Sequence, residues 1–313
     1  MTIGGSSLKV SYDLRPAKQI ERRMLIDAFQ ILASNGFPIR EYQYTGMGAI
    51  YFVDFIIFHK LLGIKDMLSV EVDPGIRRRV SFNKPFSEVQ IEIELIGDRI
   101  AKLDRDKQHL VWMDYDSRLS NLVVADATLA GSTLSPGSIL LITVDLEPPP
   151  GEDGPEQWLT HYEAEAGRYF GAGWNSTNFT LESLPITIAT ILFNAVENGV
   201  LGRPNVQFIP LFNFVYADGH RMLTIGGVIG SDLHARQIKA CDFSRQPYIR
   251  RVFSEGQFTI SVPKLTRKER ILMDREMPCA DTWNPSEFEI AQDEVLRFAV
   301  RSQRSSSRLS SSS

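Results

Sequence analysis

The 313-residue chain has only two cysteines, Cys241 and Cys279, far apart and not at ligand spacing from a histidine. That excludes a disulfide framework and a Cys/His structural zinc site, and it fits a reducing compartment. None of the 5 histidines has a partner at metal-ligand spacing, so no metal is expected. No apolar run is long enough to span a bilayer. The start, "MTIGGSSLKVSYD", lacks the charged and apolar regions of a secretion signal, so a cytoplasmic location is expected. Nor is there an excess of one charge. Against 38 acids stand 34 lysines and arginines, a net charge of -4, and nothing global marks a binder of nucleic acid or anionic membrane.

What the chain does have is a regular alternation of strand and helix patterns. "RPAKQIERRMLIDAFQIL" sets Ile20, Met24, Leu25, Ala28, Ile31 and Leu32 at helical spacing, with Pro16 suited to a first turn. Strands are expected near 41–45, 67–72, 90–96, 110–114 and 138–146, with helices near 50–62, 75–82 and 119–129. "SILLITVDL" is almost continuously apolar, as a parallel strand covered on both faces should be. Repeated βα units imply a right-handed, doubly wound α/β sheet. After the acidic loop "EPPPGEDGPE", helices are expected near 156–169 and 181–200. "VQFIPLFNFVYADGHRMLTIGGVIG" then reads as two strands turning at Asp218–Gly219, so the parallel sheet finishes with an antiparallel hairpin. The predicted organisation is an N-terminal segment and helix (1–40), an α/β domain (41–232), a C-terminal helical extension (233–301) and a disordered low-complexity tail (302–313). Two helix starts are predicted in the extension, at Thr266 with Glu269 and at Asn284–Pro285–Ser286–Glu287.

In an open α/β sheet, ligands bind beyond the carboxyl ends of the strands. The loops there begin at Gly46, Glu71, Gly97, Asp114 and Asp145, and all but the first carry an acid. A dinucleotide fingerprint needs its third glycine where Tyr51 stands, and a nucleoside triphosphatase loop needs a lysine that "YTGMGAIYF" lacks. Both readings weaken. An S-adenosylmethionine loop needs only close backbone approach. An acid ending the second strand can accept both ribose hydroxyls, and one after the third can accept the adenine amino group; Glu71 and Asp98 are so placed. Carboxylates also suit a sulfonium cation.

Each residue has a local alternative. Gly46 and Gly48 can form a plain turn, Glu71 or Asp73 can cap the next helix, Asp98 can cap "RIAKL", and Asp114 or Asp116 can cap the helix after the fourth strand. Arg15, Lys18, Arg22 and Arg23 make a basic side on the first helix, and Arg77 to Arg79 a second cluster. These are solvated faces or, at the cleft, sites for phosphate or carboxylate. Tyr42, Tyr44 and Tyr51 can stack on a planar substrate, whereas Phe52 and Phe55 read as core. Asp114, Asp145 and Glu147 form a minority magnesium reading. Pro278–Cys279 lies far from the βα region and is read as incidental.

"YTGMGA", "LSVEVDP", "LIGD" and "VWMDYDS", with the terminal hairpin, resemble the class I S-adenosylmethionine-dependent methyltransferases over about Glu41 to Asp232. "LRPAKQIER", "YTGMGAIYFVDF", "FNKPF" and "WMDYD" more narrowly resemble a bacterial family of putative O-methyltransferases. The resemblance implies a Rossmann-like methyltransferase sheet and S-adenosyl-L-methionine as cofactor. It implies Gly46, Met47 and Gly48 near the methionine part, Glu71 at the ribose, and Asp98 at the adenine. Asp114 would stand beside the cofactor's methyl group as the catalytic residue, orienting an acceptor oxygen or nitrogen or taking its proton. The acceptor is left unidentified, with an anionic small molecule or macromolecule as one option. A noncatalytic ligand- or partner-binding protein of the same fold is the alternative.

Overall fold

The computed structural model describes residues 15–252, 255–263, 265–276, 282–292 and 294–295. The low-complexity tail and Cys279 lie outside them. The first helix, α1 (Pro16–Ser34), opens on its proline as expected and buries Leu25, Ala28, Phe29 and Leu32 along one stripe. Five βα units follow. They are β1 (Gln43–Gly46) with α2 (Val53–Leu62), β2 (Asp66–Glu71) with α3 (Arg77–Asn83), β3 (Val89–Ile93) with α4 (Ile96–Ile100), β4 (His109–Arg118) with α5 (Asn121–Thr133), and β5 (Ser138–Asp145) with α6 (Pro155–Ala166). Then come α7 (Leu184–Val200), the strands β6 (Gln207–Asp218) and β7 (His220–Gly230), and α8 (Asp232–Ala240), with the short β8 (Phe258–Ile260) and α9 (Arg267–Glu276) near the end.

The sheet has the order β3-β2-β1-β4-β5-β7-β6-β8. β1 to β5 are parallel, and β7 runs antiparallel to both β5 and β6. All eight residues of β5 are buried, which is why its sequence shows no alternation. The hairpin turns at Gly219, where φ is +94°, a backbone that glycine adopts without a Cβ clash. This is the doubly wound sheet with a reversed terminal strand that the sequence implies. Strand order reverses between β1 and β4, and that places a crevice beyond their carboxyl ends.

Side-chain parity sorts the two faces. Val111, Met113 and Tyr115 of β4 join α5, α6 and α7 in one apolar layer. The opposite parity faces α1 and α2, where Phe58 stacks on Trp112 and Phe29 meets both Phe58 and Phe212. Asp114 continues the Trp112 parity, so it emerges on the α1 side at the end of the sheet.

The chain divides into two compact units, Met1–Thr259 and Ile260–Ser313. The first thus runs past Asp232, where the sequence pattern changes, and includes α8. In the second, Met273 and Val295 are buried with Leu265, Trp283, Phe288 and Ile290 around them. Its capping box is present: Thr266 N–H donates to Glu269, and Glu269 N–H to Thr266 Oγ1. The other expected helix start fails. No helix begins at Asn284, whose side-chain amide instead donates to the Ile290 carbonyl at 3.3 Å. Among the described residues no helix is long and apolar enough to cross a membrane.

Candidate functional site

The loop after β1 is wound more tightly than a simple strand-to-helix turn. Ala49 and Phe52 both have positive φ, at 46° and 50°, and only Asn205 shares this among the described non-glycine residues. Such conformations cost energy and persist where the surroundings enforce them. They also delay α2, which starts at Val53 rather than near Ile50. A Cβ on Gly48 would stand 2.7 Å from Ser69 Oγ and 2.9 Å from Phe55, and one on Gly46 would strike the Tyr44 hydroxyl. Both glycines are therefore required by close packing. Met47 lies partly buried between them. Tyr42, Tyr44, Phe52 and Phe55 are all buried in the core; of the tyrosines weighed for stacking, only Tyr51 reaches partly to the surface.

Glu71 ends β2 beside this loop and accepts a hydrogen bond from the Ala49 backbone, while its Oε1 has no partner. Burial pushes its carboxyl up to about 7, with the Ala49 bond pulling the other way and the charge of Asp73 adding to the rise. Asp73, not Glu71, forms the cap, taking the Gly75 N–H at 2.7 Å. One of the sequence alternatives is thereby removed. Asp98 is exposed in the first turn of α4, and the cap position is Leu95, so Asp98 is no N-cap. Its neighbour Gly97 packs against the Asp126 carboxylate so closely that a Cβ would collide with it. Asp126, buried in α5, receives the Tyr115 hydroxyl at 2.6 Å, and burial raises its carboxyl.

Asp114 lies within β4 rather than after it, just before the register shifts against β5. Ser120, not Asp114 or Asp116, caps α5 through the Val123 N–H. Asp114 Oδ1 instead takes a hydrogen bond of 2.7 Å from Lys18 Nζ of α1. Lys18 Nζ also lies 3.0 Å from Glu21 Oε2, donates to the Tyr216 hydroxyl at 3.1 Å, and stands 4.3 Å from the Trp112 ring centre. Burial opposes the charge of Lys18, but Asp114 first and Glu21 second overcome it and hold the ammonium above the usual lysine range. One turn on, Arg22 Nε bonds the Asp54 carboxylate of α2. The basic side of α1 thus has an inward half. Lys18 and Arg22 are buried, whereas Arg23 is exposed, as are Arg77, Arg78 and Arg79 on α3.

What aims α1 at Asp114 is the hairpin turn. Arg15, at the cap position, does not cap the helix with its side chain; the Asp218 carboxylate accepts the N–H groups of Ala17 and Lys18 at 3.0 and 2.8 Å. Helix capping here comes from a residue 201 positions away. Sequence reading missed Glu21, Asp54, Asp126, Tyr216 and this use of Asp218. A signal did exist for Lys18, Glu21 and Arg22: the buried stripe of α1, extended back from Leu25 by three, four and seven positions, lands on them.

The magnesium alternative is rearranged. Asp145, Glu147 and His220 offer ligand atoms within 4.8 Å of one another, and Asp114 is not among them. Their oxygens also serve the local backbone: Asp145 Oδ1 takes the Glu147 N–H, and Glu147 Oε1 takes the Arg221 N–H.

No curated protein matches the chain. Solved structures of similar topology include the N-methyltransferase NodS from Bradyrhizobium japonicum WM9, at 13% identity and TM-score 0.39, covering 70% of this chain and 99% of that one. Trm1 from Pyrococcus horikoshii, solved with S-adenosyl-L-methionine, has 10% identity and TM-score 0.42, with 69% and 58% covered. An O-methyltransferase described as putative, from Klebsiella pneumoniae, has 12% identity and TM-score 0.36, with 64% and 80% covered. A family model matches residues 10–304, nearly the whole chain, including α1 and all of the strands just described. The chain belongs to the methyltransferase family described as "Putative O-methyltransferase".

Proposed function

We propose that the crevice beyond β1, β2 and β4 binds S-adenosyl-L-methionine and that the chain transfers its methyl group to an acceptor oxygen or nitrogen. The observation that carries this reading is Glu71. A partly buried carboxylate beside the Ala49 N–H, with its buried Oε1 unpaired, suits a donor pair such as the two ribose hydroxyls. Gly46 and Gly48 let the loop pack tightly on Tyr44, Ser69 and Phe55, which fixes the backbone that would border the cofactor.

When bound, the cofactor supplies an electrophilic methyl on a sulfonium, transferred as the carbon–sulfur bond breaks and its electron pair returns to sulfur. The work left to the chain is alignment and the handling of one proton. Gly46, Met47 and Gly48 border the methionine part, Glu71 holds the ribose, and exposed Asp98 accepts from the adenine amino group. Asp114, its side chain 19% exposed, accepts a hydrogen bond from the acceptor's O–H or N–H at the reacting centre.

The test is titration calorimetry with S-adenosylmethionine, S-adenosylhomocysteine and NAD, followed by transfer of labelled methyl to cell extract. Binding of the sulfur ligands but not NAD is expected, with transfer lost in Asp114→Ala. Folded protein that binds neither sulfur ligand would refute the reading. Binding without any transfer would favour a noncatalytic role.

A further inference from the structure

Lys18 and Glu21 are 2% and 0% exposed, in a helix that lies outside the βα repeat. An ammonium has three N–H donors, and three oxygens surround this one: Asp114 at 2.7 Å, Glu21 at 3.0 Å and Tyr216 at 3.1 Å. The Trp112 ring lies against it as well. Two of its donors are bonded to Asp114 and Tyr216, and the buried ammonium is ion-paired with Glu21. Arg22, the next cation along the same face, is paired with Asp54. The exposed arginines of α3 follow β2, which β1 separates from the strand carrying Asp114.

We propose, building on the methyl-transfer reading, that Lys18 is the positioning residue of the reacting centre. It fixes the Asp114 carboxylate as a hydrogen-bond acceptor and leaves the centre without spare positive charge, so the methyl acceptor is an uncharged or cationic O–H or N–H donor rather than a carboxylate or phosphate.

Three points support this. First, burying a cation is unfavourable unless its partners are in place, and here they come from Asp114 of β4, Tyr216 of β6 and Glu21 one turn along α1. Second, Lys18 and Arg22 are balanced by Asp114 and Asp54, with Glu21 as a third acid whose carboxyl is raised first by burial. Third, an anionic acceptor would approach the open oxygen of Asp114 with no uncommitted cation of α1 to offset the repulsion. The basic side of α1, which in sequence suggests an anion site, is already occupied by the protein's own acids.

S-adenosylmethionine and S-adenosylhomocysteine differ by one methyl and one positive charge at the reacting atom, so they report the local charge. Titration calorimetry of the full chain with each is the experiment. Lys18→Met removes the charge that offsets Asp114, and the preference for the sulfonium should rise about tenfold. Asp114→Asn should lower it by about the same factor, and Lys18→Arg should hold it within about twofold. Should the single variant fail to fold, Lys18→Met with Glu21→Gln carries the same measurement without a lone buried carboxylate. Inorganic phosphate at constant ionic strength should leave the wild-type affinity for S-adenosylmethionine unchanged. An unchanged preference in Lys18→Met, or an equal loss of both ligands, overturns the positioning role, and a phosphate-dependent gain overturns the acceptor class. Failure of the wild type to bind either ligand would instead refute the methyl-transfer reading itself.

Discussion

At pH 8, Glu71→Gln should make the ligand-free protein more stable and its cofactor binding weaker, opposite effects from one substitution. Burial raises the folded-state carboxyl from 4.5 to about 7. The folded chain therefore holds this proton more tightly than the unfolded chain does. The resulting penalty is absent below about 4.5, grows as pH rises between the two values, and is complete above about 7. At pH 8 it amounts to roughly 3 kcal/mol. Glutamine keeps the shape, keeps an oxygen for the Ala49 N–H and carries no charge, so the melting temperature at pH 8 should rise by about 5 °C. Near pH 4.5 that gain should vanish. Binding moves the other way, because the ribose hydroxyls need an acceptor and the ionised carboxylate is the stronger one. If the ionised form alone is competent, wild-type affinity should be about tenfold weaker at pH 6 than at pH 8. The variant should bind roughly tenfold more weakly than wild type at pH 8 and show no such dependence. Scanning calorimetry of the ligand-free proteins and titration with S-adenosylmethionine at several pH values give both numbers. A variant that melts below wild type at pH 8 and binds with wild-type affinity would refute both halves of the reasoning.

Three further substitutions probe the supporting structure. Gly48→Ala puts a Cβ 2.7 Å from Ser69 Oγ and 2.9 Å from Phe55; the strained loop must shift, at a cost of about 1–3 kcal/mol, and titration should show cofactor affinity falling with it. Gly97→Ala displaces the Asp126 carboxylate and breaks its bond to Tyr115, which urea unfolding should register as a loss of about 1–3 kcal/mol. Asp218→Ala removes the carboxylate that caps α1; about 1 kcal/mol of stability should go, and faster amide exchange at Ala17 and Lys18 would locate the loss.

The parts of the fold that were legible are those with local causes. The apolar run of β5, the turn at Asp218–Gly219 and the Thr266–Glu269 capping box each follow from neighbouring residues, and each is present. Glu71 was distinguishable because strand alternation sets it apart from Val70 and Val72, whereas Asp73 lies beyond the end of β2. The Asn284 start is not taken up: no helix begins there, and its side-chain amide N–H donates to the Ile290 carbonyl. Asp116 resembled a cap, but β4 runs on to Arg118 and leaves that task to Ser120. Asp126 had no local signature, since a lone acid on a helix is ordinarily solvated. Its partner Tyr115 belongs to the preceding strand, and only packing brings them together.

The same distinction divides the candidate site. The half proposed to bind the cofactor consists of strand ends and the loops after them, so one rule about open α/β sheets points to Gly46, Gly48, Glu71 and Asp98. The half proposed to meet the acceptor joins Lys18 to Asp114 and Tyr216 across 96 and 198 positions, and no spacing rule reaches that far. The hairpin connects the two halves. Asp218, adjacent to the glycine that lets β6 turn into β7, caps α1 and so fixes Lys18, two residues beyond the helix start, in line with Asp114. The turn is therefore both a fold signal and a site determinant. Altering Asp218 should disturb the charge at the reacting centre, whereas altering Gly219 while retaining the carboxylate should chiefly affect stability, because only the former is bonded to α1.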